Sequence, residues 1–147
     1  LMYGVLRRLG TGEVTTFIQR LQSQKTQYIA QTFGISPAYD FNLYIRGPYS
    51  PTLAHDLFTL SAKKEDPKVE AFTPNELENR FQKALDFLKG KNIRQLELTT
   101  TLHWLQAVGG LSQDQAEARL KTIKDADEEE TLSARVFVDE LCKLSEK

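Results

Sequence analysis

The chain has 147 residues, 40% of them hydrophobic and 27% charged, and a formal net charge of −1. That length and balance predict one soluble globular domain spanning 1–147 with a sizeable core. Cys142 is the only cysteine, which excludes an intrachain disulfide and a multi-cysteine zinc site. Charge is mildly asymmetric: five basic and two acidic groups give +3 in residues 1–50, and 14 basic and 18 acidic groups give −4 in the rest. The basic half falls short of the clustered Lys and Arg of a protein held to phosphates mainly by charge.

Residues 1–9 place Leu1, Met2, Val5, Leu6 and Leu9 at helical spacing, and Gly10 stands where a helix would end. From about Thr15 a long second helix is predicted, carrying Phe17, Ile18, Leu21, Tyr28, Ile29 and Phe33, interrupted by the polar Gln24 and Lys25 and closed by Gly34. A strand follows over 39–46, where Tyr39, Phe41, Leu43 and Ile45 share a core face and Asp40, Asn42, Tyr44 and Arg46 a wet one. Gly47 and Pro48 are expected to end that strand in a turn. Ser50 then caps a helix over 51–61 with Pro51 at its first position, and Leu53, Ala54, Leu57 and Phe58 form its buried stripe.

Lys63 to Pro67 reads as an exposed charged loop, and 68–72 as a short strand that would partner 39–46. Thr73-Pro74-Asn75-Glu76 is a capping box before a helix over 74–89 bearing Leu77, Phe81, Ala84, Leu85 and Leu88. A helix over 93–108 carries Leu98, Leu102, Trp104 and Leu105 despite three β-branched threonines, and Gly109-Gly110 stops it. Ser112 with Gln115 opens a shorter helix with Ala116, Leu120 and Ile123. The acidic run 125–130 makes a solvated turn before a last helix buried through Val136, Phe137, Leu141 and Leu144, where the dipole favours its carboxylates. The fold class is mainly α (α+β), six or seven helices around a small β element. Cys142 is expected to be a small core residue.

Few patterns carry chemistry. Ser50, His55 and Asp56 do not form a triad, because Ser50 caps a helix, adjacent helical residues diverge, and no G-x-S-x-G elbow is present. His103 beside Trp104 reads as structural, since the only two histidines lack ligand spacing. Gly10-Thr11-Gly12 lacks the lysine, spacing and preceding strand of a phosphate loop. Tyr44 and Arg46 on the wet face, with Tyr49 in the turn, have the composition of an interface, the alternative being that Tyr44 packs beneath the 63–67 loop.

Gln24-Lys25-Thr26-Gln27-Tyr28, the aromatic strand ending in Gly47-Pro48-Tyr49-Ser50, Leu53 with Asp56, and the helix from Leu96-Glu97 through Thr101 to Leu105 together resemble the YwgA-like family of bacterial and archaeal proteins. More distantly they resemble the Panacea antitoxin domain. Ser23 stands where the family commonly has an apolar residue, and the Lys63 to Pro67 loop has no counterpart. The resemblance implies an antitoxin-like or regulatory module without catalytic residues.

The expectation is therefore a non-enzymatic, cytoplasmic interaction module with no cofactor or metal. Its partner would be a protein, a toxin or regulatory protein, met through Lys25, Tyr44, Arg46 and Tyr49. The alternative is a winged-helix-like transcriptional regulator using a basic face around Arg20, Lys25 and Arg46. A pocket converging on His55, or on His103 and Trp104, would instead point to an enzyme.

Overall fold

Seven helices and one two-stranded sheet make up the residues that the computed structural model describes, 2–11, 13–36, 38–62 and 75–146. The helices are α1 (Met2–Arg8), α2 (Phe17–Thr32), α3 (Pro51–Ala62), α4 (Asn75–Leu88), α5 (Ile93–Ala107), α6 (Gln113–Lys124) and α7 (Glu128–Ser145). The strands, β1 (Asn42–Tyr44) and β2 (Gly47–Tyr49), lie between α2 and α3. The mainly α class with a small β element is as the sequence predicts. The 63–67 loop, the 68–72 strand and the Thr73-Pro74 start of α4 lie outside the described residues.

Helix starts follow their capping chemistry. Thr16, Asn92, Ser112 and Asp127 cap α2, α5, α6 and α7, each accepting from the backbone three residues on, where Gln19, Gln95, Gln115 and Glu130 return the bond. Each box satisfies two backbone donors that an unpartnered helix end would leave orphaned. Ser50 Oγ accepts from the Leu53 N–H at 3.2 Å, so Ser50 caps α3.

Two apolar clusters form the interior. In the first, Leu6, Ile29, Leu53, Leu57, Phe81, Phe87 and Leu141 bring together α1, α2, α3, α4 and α7. In the second, Leu98, Leu102, Leu105, Ala116, Leu120 and Val138 join α5, α6 and α7. Trp104 packs against both clusters, and the hairpin sits at their seam, with Phe41 in the first and Leu43 against the second.

The sheet departs from the expected strand. Its chain reversal falls at Ile45-Arg46, and Gly47, Pro48 and Tyr49 return as the second strand in antiparallel register, Asn42 opposite Tyr49, Leu43 opposite Pro48 and Tyr44 opposite Gly47. The strand's partner is thus the segment expected to terminate it. Neither Ile45 nor Arg46 takes a positive φ, while Gly47 at +98° supplies the left-handed residue that commonly follows a type I turn in a hairpin. Alternation cannot continue through a turn, so Ile45, expected in the core, is 88% exposed. Phe58 (68% exposed), Val136 and Cys142 also lie on the surface, not in the core their spacing suggested.

Candidate functional site

A two-stranded hairpin has two open edges whose backbone groups a larger sheet would pair. Here side chains from three helices take the place of the missing strands. Gln24 donates from Nε2 to the Ser50 carbonyl at 3.0 Å and accepts the Ser50 N–H at 2.9 Å. Two helical turns on, Gln31 does the same for Tyr39, donating to its carbonyl and accepting its N–H, both at 3.0 Å. A primary amide carries one acceptor and donors in the arrangement of a neighbouring backbone, which suits glutamine to this substitution. From α5, Trp104 donates Nε1 to the Phe41 carbonyl at 2.9 Å.

Two lysines take the turn. Lys25 Nζ donates to the carbonyls of Arg46 and, at 3.2 Å, Pro48. Residues two apart on a strand turn their carbonyls to the same side, so one ammonium reaches both. Pro48 presents its missing N–H on that same outer side, which is why proline is tolerated here. Lys124, at the end of α6, donates to the Ile45 carbonyl.

The lysines are countered by one carboxylate. Glu97 Oε1 lies 3.5 Å from Lys124 Nζ and 4.0 Å from Arg94. The field of Glu97 also favours the charged form of Lys25, but burial acts more strongly and pulls the Lys25 amine down to about 8. Burial lowers Lys124 as well, opposed by Glu97. The space for the Lys25 ammonium exists because residue 47 has no side chain: a Cβ there would lie 2.9 Å from both Lys25 Nζ and Thr101 Oγ1. The buried hydroxyls of Thr99 and Thr101 have no hydrogen-bond partner among the described residues.

The outer face is different in character. Tyr44 is 49% exposed and its ring meets that of Tyr49 edge-on, with centroids 5.4 Å apart. The Arg46 guanidinium lies 5.6 Å from the Phe17 ring centroid, and Arg20 lies 6.0 Å from it on the same ring. Tyr44 and Tyr49 therefore meet on this face, with Arg46 exposed in the turn beside Phe17. Lys25 is not part of it: it is 1% exposed, withdrawn to hold the hairpin backbone. The basic face expected around Arg20, Lys25 and Arg46 accordingly contains two cations, not three.

In the sequence, Gln24 and Lys25 look like a polar interruption of a helix, and nothing local assigns a role to Gln31, Glu97 or Lys124. One signal is there nonetheless: Gln24, Tyr28 and Gln31 share one face of α2 at helical spacing, so the glutamines fall in the phase of the core.

The histidines are placed separately. His103 Nδ1 lies 2.7 Å from the Tyr28 hydroxyl inside the fold, and burial lowers its pKa. His55 is exposed beside Asp56, whose carboxylate accepts from the Tyr39 hydroxyl at 2.8 Å. Burial, then the Asp56 bond, raises Tyr39 to about 12. Among the described residues no three His, Cys, Asp or Glu side chains converge as a metal site, and no helix is long and apolar enough to cross a membrane.

Comparison of the chain with protein-family models, with curated proteins and with solved structures yields no match.

Proposed function

We propose that the chain is a non-enzymatic interaction or regulatory module, antitoxin-like in kind, that acts in the cytoplasm by binding a protein through the outer face of its hairpin. The observation that carries the reading is the division of labour across that hairpin. Five buried or half-buried side chains, Gln24, Lys25, Gln31, Trp104 and Lys124, fix its backbone, while Tyr44, Ile45 and Arg46 are left in solvent. A fixed loop loses little entropy on binding, and tyrosine and arginine are the residues that most often anchor protein interfaces. The resemblance of the chain, through its Gly47-Pro48-Tyr49-Ser50 junction, to the YwgA-like family and more distantly to the Panacea antitoxin domain supports the same reading.

The test uses a photo-crosslinking amino acid at Ile45, whose side chain touches solvent almost freely. In the native host it should trap one protein reproducibly. Tyr44→Ala and Arg46→Ala should remove that adduct while leaving the melting temperature within about a degree or two, as surface substitutions usually do. Adducts that survive both substitutions, or a spread of abundant bystanders, would count against it. A DNA-binding regulator is the second reading, favoured by the pairing of Arg20 and Arg46 around Phe17. It ranks lower because burial removes Lys25 from the basic face.

A further inference from the structure

Beside the hairpin, between the start of α2 and the outer side of α3, runs a groove of about 420 Å³. Val14, Tyr49, Ala54, Leu57 and Phe58 line it, and among the described residues Arg20 is the single charged residue lining it. Phe58 is 68% exposed there and Phe17 and Ile18 are half exposed nearby, so the groove and its surroundings hold apolar surface that neither core covers. Contiguous apolar surface of this kind marks contact sites far more often than scattered single residues do.

Among the described residues lining the groove, the one charge is positive. Arg20 Nη1 donates to the carbonyls of Val14 at 3.2 Å and Thr15 at 3.5 Å. Arg46 approaches the same Phe17 ring from the hairpin. Neither guanidinium has a carboxylate partner among the described residues. Glu13, the acidic residue closest in sequence to Arg20, is held by Arg7. Two guanidiniums within about 6 Å of one ring centroid, Arg20 lining the apolar groove and Arg46 across the ring from the hairpin, match a ligand that brings an apolar side chain with carboxylates beside it.

We propose that this groove receives an acidic segment of a partner protein, whose bulky apolar side chain enters between Tyr49 and Phe58 while flanking carboxylates pair with Arg20 and Arg46. The proposal rests on the protein-contact reading above and names the chemistry of that contact. A nucleic acid fits less well, since a strand asks for a succession of cations along its phosphates and the described lining of this trough is mainly apolar with one arginine. A neutral apolar peptide would leave both guanidiniums without counterparts.

A random dodecapeptide display library selected against the whole chain tests it. Enriched peptides should carry two or more Asp or Glu around one Leu, Ile, Phe or Trp. A synthetic peptide of that consensus should bind saturably and lose at least tenfold in affinity on Phe58→Ser and on Arg46→Glu. Its glutamine version should bind at least fivefold more weakly than the acidic one, and its lysine version should regain affinity for Arg46→Glu. Both substituted residues are on the surface, and thermal melts of the two variants confirm that the fold is kept.

Enrichment of neutral or basic peptides, no enrichment at all, or equal binding by the glutamine version would overturn the proposal. So would a labelled single-stranded oligonucleotide that binds saturably and displaces the peptide, or a dimer in sedimentation that Phe58→Ser abolishes. If the Ile45 crosslink persists and still depends on Tyr44 while the peptide arm fails, the hairpin contact stands and the groove chemistry falls. If the crosslink is lost while peptide binding stays intact, the groove chemistry stands and the hairpin contact falls.

Discussion

Replacing Lys25 by methionine tests the clamp, because it keeps an unbranched apolar stem out to Cε and removes the amine. In the folded chain the amine is pulled down to about 8 from an ordinary 10.5, chiefly by burial. The unfolded chain therefore binds more protons between those values, and stability contributed by this residue must rise, not fall, as pH rises through about 8. Integrated from pH 7 to pH 9.5, a shift of that size amounts to about 2 kcal/mol of added wild-type stability. A neutral amine still has two N–H groups for the carbonyls of Arg46 and Pro48, so the clamp survives its own deprotonation. Lys25→Met leaves both carbonyls unpaired, at about 1–3 kcal/mol each, and recovers part of that by removing a buried charge. The net expectation is a variant less stable by about 1–3 kcal/mol at pH 7, with the gap widening by about 2 kcal/mol at pH 9.5. Guanidinium denaturation of both chains at the two pH values measures it, and the subtraction cancels tyrosine and cysteine titrations common to both. A gap that stays constant or narrows would refute the reasoning, since it would mean that Glu97 holds Lys25 charged against its burial.

Further outcomes follow from the same geometry. Gly47→Ala should cost about 2 kcal/mol or more, because it combines a positive φ with a Cβ placed 2.9 Å from Lys25 Nζ and Thr101 Oγ1, and thermal denaturation reads it. Gln24→Ala should cost about 2 kcal/mol by orphaning the N–H of Ser50 and weakening the start of α3, whereas Gln22→Ala, an exposed neighbour, should change little in the same assay. His103 has its pKa lowered by burial, so the unfolded state binds more protons below 6.5 and stability should drop as pH falls through that value. His103→Gln should flatten this acid limb in denaturation curves taken between pH 7 and pH 5.

The burial of Lys25 at the centre of a helix shows where local reasoning stops. Period and capping can be read from neighbours three or four residues apart, and they give α5, α6 and the Ser50 start of α3 to within a residue or two. The hairpin defeats the same reasoning: Gly47-Pro48 carries the mark of a strand end, and only pairing with Asn42 to Tyr44 makes it a strand. Of the outer face of the site only Tyr44 was legible, because alternation places side chains within a strand but not Arg46 in the turn or Tyr49 in the returning strand. Its inner face was not, because Gln24, Gln31 and Lys25 owe their burial to carbonyls 8 to 26 residues away.

By itself the sequence determined the helical periods and the Ser50 and Ser112 caps, which are set by interactions within a turn or two of the chain. The tertiary structure decided which polar residues are core. A polar side chain can be buried only where its partners converge, and a two-stranded sheet without neighbours is what gathers Gln24, Lys25, Gln31, Trp104 and Lys124 in one place. It also left Ile45 and Phe58 in solvent against their apolar character, and so drew the boundary between the residues that build the hairpin and those that remain free to meet a partner.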